Sequence, residues 1–380
     1  MPWLDIGRLM AALAVALAHL SLVFGLGWND AWATVALSWF FVLSGFIMAH
    51  AHPDCRPTRT LLLDFWLRRA IRIVPAYWLV LALAAAWLGW GVAQQGVAWL
   101  HTVGRPAFLS ADIATQEYLS TWPARLASHA LFLGALDQAS SGRYLFAPPL
   151  WSLYSEMFFY LLFPFLMPLV ARTRPSWGLA LAFALWLAQG GVVALAIGGL
   201  PSHDFVAAQA SVYSNPLVRV AEFMVGIFAR HWLDSTGETG RRVLRSPMSV
   251  AMSLAAVVGV VLIAPTIPTP FNLYWIAVPV LVWNILALSQ SALANVKLAA
   301  VAGGVSYLIY LLHWTVWEIG HAAGLGSGSP GALAGLLAAM LGLSALLWWA
   351  ADAPLRGVLV GWARGRGWLR RGGRPAEVAQ

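Results

Sequence analysis

Charge and cysteine are what this chain has least of. Asp, Glu, Lys and Arg make up 10% of its 380 residues against 60% hydrophobic residues, which excludes an ordinary soluble domain, where about a quarter are charged. The single cysteine, Cys55, excludes an internal disulfide framework and a paired-thiol metal centre, and with Arg56 and Arg59 beside it reads as a bystander in a cytoplasmic loop. Missing as well are a phosphate-cradling Gly-rich loop, an H-E-x-x-H zinc helix and a G-x-S-x-G nucleophile elbow. The one H-x-H, His50 to His52, lacks the further ligands a metal needs, so no metal is expected. No internal repeat is evident, which disfavours transporters built from duplicated halves.

What is present is hydrophobic length. Apolar runs near the ~20 residues a bilayer requires fall at about 9–27, 33–50, 74–92, 149–170, 177–198, 214–232, 248–264, 272–291, 300–322 and 331–352. The expected fold is therefore all-α: a polytopic bundle of about ten transmembrane helices with both termini cytoplasmic. The first run follows Arg8 as a signal peptide's would, but no small-residue cleavage site follows, so it is kept as a permanent span. The net charge of +8 belongs to membrane topology, not to nucleic acid, because the basic residues stand in short runs between apolar segments. Cytoplasmic termini put Arg8, the Arg56 to Arg72 cluster, Arg172 and Arg174, Arg230 to Arg245, Lys297 and the arginines from Arg356 to Arg374 inside, leaving Arg105, Arg125 and Arg143 outside. Tryptophans such as Trp28, Trp90, Trp177 and Trp349 fit rings anchored at the two interfaces. Residues 1–356 read as one membrane domain and 357–380 as a basic cytoplasmic tail near anionic lipid. The outer stretch from 93 to 148 is too polar for an ordinary span, though Ala124 to Leu136 allows a short or re-entrant helix.

The first run carries an arginine and a histidine at a spacing that apolar packing does not explain. Arg8 and His19, eleven residues apart, return to the same helix face at about 100° per residue and are separated by roughly 16 Å along the axis. With Arg8 at the surface, His19 lies near mid-bilayer, a costly place unless it lines a cavity, does chemistry or is hydrogen-bonded in packing. Arg68, Arg69 and Arg72 run straight into the third span; Arg69 and Arg72, at i and i+3, can present two guanidinium forks to a phosphate-bearing ligand, or serve as flank charges. The fourth run opens with Trp151 and places Ser152, Ser155, Glu156 and Phe159 on one stripe, so an intramembrane carboxylate needs a partner or a watery cavity. Arg219 and Glu222, one turn apart, most simply neutralise each other. Ser306, Tyr310 and His313 form another polar stripe, where Gly303 and Gly304 would admit a close neighbour and His313 reads as a hydrogen-bonded core residue beside a substrate pocket. Asp352, Pro354 and Arg356 read as an interfacial anchor.

Seven stretches in order resemble the acyltransferase 3 family of integral-membrane acyltransferases: Leu4-Asp5 through Arg8 to His19, Trp39 to Phe46, Arg68 to Trp78, Trp151 to Tyr160, Pro216 to Gly226, Ser306 to Trp314, and Asp352 to Arg356. The resemblance implies a multi-pass enzyme of the bacterial plasma membrane. It would move an acyl group, commonly acetyl, from cytoplasmic acyl-coenzyme A to a hydroxyl of a surface or exported carbohydrate. It implies His19 as the catalytic histidine, Arg8 as its motif partner, and Arg69 and Arg72, within the Arg68 cluster, as the pair addressing the coenzyme. Met157 stands where a second carboxylate often occurs and Tyr154 replaces a small polar residue, a variant that looks like members associated with exopolysaccharide production.

The chemistry that the resemblance implies is within reach of these residue types. A neutral His19 can take the proton of a hydroxyl attacking a thioester, which is already activated, so base catalysis and positioning suffice without a metal. Glu156 or Arg8 would orient the imidazole, while Trp151, Ser152, Tyr310 and His313 would line the substrate pocket. The rival from another class is a transporter or flippase of lipid-linked sugars using the same intramembrane Arg, His and Glu. A sensor or scaffold without chemistry is the third reading.

Overall fold

Proline and asparagine mark where many of the helices begin. The computed structural model describes residues 1–28, 31–102, 120–134, 146–198, 213–263, 277–292, 295–325 and 329–369. Its helices are α1 (Pro2–Phe24), α2 (Ala31–Ala51), α3 (Arg59–Gln95), α4 (Trp99–Thr102), α5 (Trp122–Ala130), α6 (Trp151–Val170), α7 (Pro175–Gly198), α8 (Pro216–Ser235), α9 (Glu238–Leu244), α10 (Pro247–Ile263), α11 (Ala277–Gln290), α12 (Val296–Ala322), α13 (Pro330–Leu347) and α14 (Ala353–Gly365). No strand occurs among the described residues. Pro2, Pro175, Pro216, Pro247 and Pro330 each open a helix, where the missing N–H costs nothing and the fixed φ is already helical. Asn215 and Asn295 cap α8 and α12 by accepting from the backbone N–H of Leu217 and Leu298, both at 2.9 Å.

Among the described residues, seven helices are long and apolar enough to cross a membrane, or eight if the pair α9 and α10, bent by 53°, forms one span. The expected count of about ten is not reached on that criterion. Helices stand at all ten expected positions, but the α11 region is described only from Ala277, as a 14-residue apolar helix, and α8 carries Arg219, Glu222, Arg230 and Asp234 within an otherwise apolar sequence. In the outer stretch, α5 has nine residues, too short to span. Residues 103–119 and 135–145, with Arg105 and Arg143, lie outside the described residues, as do 370–380 of the basic tail.

The bundle is layered by burial. In the most apolar windows of α7 and of the Pro330–Gly365 segment only 17% is buried, against 78% for α2, so the former present leucine-rich flanks to lipid and the latter is central. α1 lies chiefly against α12, and α2 against α8. Hydrogen bonds tie α2, α11 and the more peripheral α10: Trp39 Nε1 donates to Asn284 Oδ1 at 3.1 Å, and Asn284 Nδ2 to Ser253 Oγ at 3.2 Å, the kind of polar glue that apolar packing in lipid lacks. Between α13 and α14 the backbone passes through a π-helical turn, Trp348–Asp352.

The crossing of α2 and α8 is a glycine contact on both sides. A Cβ on Gly45 would run into the carbonyl oxygen of Phe223, and one on Gly226 into that of Val42, so main chain touches main chain and no side chain can yield. Gly45→Ala and Gly226→Ala should each cost about 3 kcal/mol, the upper end for overpacking, read as a lowered thermal unfolding midpoint in detergent. Gly259→Ala, where nothing lies within 4 Å, is the control and should be neutral or slightly stabilising.

Candidate active site

Five helices, α1, α2, α3, α6 and α12, enclose a cavity of about 120 Å³. Its polar lining is Arg8 from α1, Ser44 from α2, Arg69 and Arg72 from α3, Ser152, Glu156 and Tyr160 from α6, and Ser306, Tyr307 and Tyr310 from α12. Leu37, Phe40, Phe41 and Met48 of α2 supply an apolar wall. Three guanidiniums to one carboxylate make the chamber electropositive, suited to an anionic ligand with an apolar end.

Local sequence decides which groups face it. Arg68, expected with Arg69 and Arg72, turns away: its Nε and Nη2 donate to the two oxygens of Asp64, one helical turn back, at 2.9 and 3.0 Å, and it does not line the cavity. Arg72 packs its guanidinium over the Tyr307 ring at 5.8 Å and lies within electrostatic reach of Arg8, Asp352 and Arg69. Its Nη1 is buried without a hydrogen-bond partner among the described residues. Arg8 pairs with Asp5 at 3.2 Å, and a Cβ on Gly303 would touch that same Asp5, so the expected close neighbour of Gly303 is α1. Glu156 accepts a short hydrogen bond from Tyr160 and a longer one, 3.4 Å, from Ser44. Ser152 Oγ and the Tyr310 hydroxyl lie 2.6 Å apart, and both reach the Pro149 carbonyl at 3.1 Å.

His19 does not line this cavity. Its Nδ1 is 2.9 Å from Nε2 of His313, and Trp314 stands edge-on to it with centroids 5.2 Å apart. Neither Glu156 nor Arg8 reaches it: Glu156 is engaged as above, and Arg8, eleven residues away on the same helix, sits roughly 16 Å along the axis. His313, fully buried, is placed with His19 and not on the cavity wall, and its ring meets that of the wall residue Tyr310 at 5.8 Å. Trp151 is also off the wall, packed edge-on to Phe41 and Tyr213. Ser155, on the expected polar stripe, is wholly buried, and its hydroxyl has no hydrogen-bond partner among the described residues.

The remaining charged features are structural. Arg219 and Glu222 pair at 3.1 Å, with Ser38 donating to Glu222 at 3.0 Å, as their spacing suggested. Asp352 and Arg356 pair at 2.5 Å but are buried at 5% and 6% exposure, so the expected interfacial anchor is an interior pair whose carboxylate also faces Arg72. In the α2–α3 loop, burial pushes the Cys55 thiol up to about 11, helped by Asp64, so it stays protonated near neutral pH. Burial, with Arg69 and Arg68 nearby, lowers His52 to about 3, which keeps it uncharged.

Sequence reasoning had not singled out Asp5, Ser44, Tyr160 or the approach of Asp352 to Arg72. Two of these carried a signal: Asp5 precedes Arg8 by three residues and Tyr160 follows Glu156 by four, each one helical turn.

A family model described as an acyltransferase domain matches residues 1–349. Among curated proteins, the chain is 28% identical over 318 residues to the acyltransferase MdmB of Streptomyces mycarofaciens, covering 76% of this chain and 69% of that relative. No solved structure matches.

Proposed function

The chain belongs to the acyltransferase 3 family of membrane acyltransferases, and from that premise we propose that it takes an acyl group, most simply acetyl, from acyl-coenzyme A on the cytoplasmic side of the bacterial plasma membrane and gives it to a hydroxyl of a cell-surface or exported carbohydrate. The observation that carries this reading is the cavity in which Arg8, Arg69 and Arg72 converge within a bundle otherwise poor in charge. An acyl thioester joined to phosphates needs cations for one end and an apolar recess for the other, and the walls supply both. The topology in which both termini are cytoplasmic puts these arginines on the side where the donor is made.

His19 is the general base of the proposed reaction. The acceptor O–H bond breaks as its proton passes to the imidazole; the oxygen bonds to the thioester carbonyl carbon; the C–S bond breaks and the thiolate recovers the proton from the ring, leaving an ester and free coenzyme thiol. Preorganised donors along the path, the Ser152 and Tyr310 hydroxyls and the guanidiniums, would orient the two substrates.

Purified protein in lipid, given acetyl-coenzyme A and a glycan acceptor, should release thiol in step with a gain of one acetyl mass on the glycan. Surface glycans of cells with and without the protein should differ by that mass. Arg72→Ala should raise the donor KM by about tenfold or more with kcat little changed, since a charge-assisted hydrogen bond contributes about 1.5–3 kcal/mol. Glycan movement across the bilayer without thiol release would overturn the reading in favour of a carrier.

A further inference from the structure

The imidazoles of His19 on α1 and His313 on α12, 294 positions apart, meet nitrogen to nitrogen, Nδ1 to Nε2, at 2.9 Å. A ring nitrogen stands about 1.1 Å from its ring centre, so two radii and the hydrogen bond account for nearly all of the 5.2 Å between the centroids. The ring planes differ by 2°. The rings therefore touch edge to edge in a common plane, the geometry of a linear N–H···N hydrogen bond and not of face-to-face stacking.

One of the two nitrogens must bring the proton, and the far side of His313 decides which. Its Nδ1 lies 3.1 Å from the carbonyl oxygen of Ile309, one turn back on α12, and a carbonyl oxygen only accepts. In a neutral ring Nδ1 then carries the hydrogen and Nε2 is bare. A bare Nε2 accepts, so the hydrogen shared with His19 sits on His19 Nδ1. That leaves Nε2 as the unprotonated nitrogen of His19.

We infer that His313 is the positioning residue of the reaction: it holds His19 in the Nδ1–H tautomer, so that Nε2 is the atom that takes the acceptor's proton. This rests on the reading of His19 as general base. When Nε2 gains its proton, Nδ1–H continues to donate to the bare nitrogen of His313, so the imidazolium keeps its partner throughout the transfer. When the proton leaves with the coenzyme thiolate, both rings return to their starting state. An imidazole oriented by a buried acceptor behind it is the arrangement found wherever a histidine's tautomer matters, with a neutral ring here in the orienter's place.

The test is nitrogen NMR on the full-length protein in lipid nanodiscs at neutral pH, with ring-labelled histidine and assignments from His19→Gln and His313→Gln. Both His19 and His313 should show a protonated Nδ1 and a bare Nε2, the minor tautomer of histidine in water. In His313→Ala, His19 should revert to Nε2–H, and kcat should fall by roughly 10²–10³-fold with donor KM within about twofold. His313→Gln, whose side-chain carbonyl can accept from Nδ1–H, should stay within about tenfold of the parent. Finding His19 protonated at Nε2 in the parent protein would overturn the inference, as would equal losses in the alanine and glutamine variants with no change of tautomer. If the tautomers are as stated but His19→Gln still transfers acyl groups, the general-base reading falls and the role of His313 with it.

Discussion

His19→Ala should lower kcat/KM for acyl transfer by about 10³-fold while leaving the donor KM nearly unchanged. The expected split follows from where the residues stand. The cations suited to an anionic donor lie on the wall of the cavity, whereas His19 lies off that wall against His313 and Trp314. Removing the base therefore takes away proton transfer in the transition state and leaves ground-state binding of the donor alone. The measurement is thiol release and acceptor acetylation side by side, with thermal unfolding confirming that the variant folds. His19 is only half-buried, but its removal takes a hydrogen bond from the buried His313, so a fall of a few degrees is expected. Transfer persisting within tenfold of the parent would move the chemistry to another residue.

The second large effect concerns stability. Arg219 and Glu222 are 1% and 2% exposed, joined at 3.1 Å, with Ser38 bridging them: it donates to Glu222 at 3.0 Å and accepts from Arg219 at 3.2 Å. The guanidinium also lies over the Phe41 and Tyr213 rings at 4.9 and 5.2 Å. Glu222→Leu takes from the buried guanidinium its carboxylate at 3.1 Å, and Arg219→Leu takes from the buried carboxylate its guanidinium; each should cost about 3–5 kcal/mol. Replacing both by leucine removes the uncompensated charge and should bring stability back to within about 1–2 kcal/mol of the parent. Unfolding midpoints of the three variants in detergent decide the matter. A double variant no better than the worse single one would mean that the pair fixes the seating of α8 against α2.

How far this molecule could be read in advance depended on whether a signal was local. The spacing of Arg8 and His19, the glycines at 303 and 304 and the one-turn pair of Arg219 and Glu222 all lie within a few turns, and helical periodicity exposes such relations directly. Which of three crowded arginines would leave the chamber was also local, since Asp64 stands one turn before Arg68, but that carboxylate had not been weighed. The partner of His19 was not local: His313 lies on α12, and no spacing within either helix announces a hydrogen bond across 294 residues. Glu156, the nearest candidate by chemistry, is instead satisfied by its own helix neighbour Tyr160. α8 falls outside the seven apolar spans for a related reason, because hydropathy penalises it for charges that its fold pairs internally.

The π-helical turn at Trp348–Asp352 fits one more residue into its circuit than an α-helical turn would, and Asp352, at its end, owes its place between Arg72 and Arg356 to that surplus. Deleting one residue of the turn would remove the surplus, so a relaxation to regular winding would leave everything beyond it close to its present orientation relative to α13. Winding the same five residues as a regular α-helix would instead turn the segment beyond by nearly 100°, carrying the carboxylate and Arg356 away from Arg72. The C-terminal helix should thus tolerate loss of one residue within these five better than a one-residue insertion or deletion in the regular winding of α14 itself, where each shifts the residues beyond by about 100°.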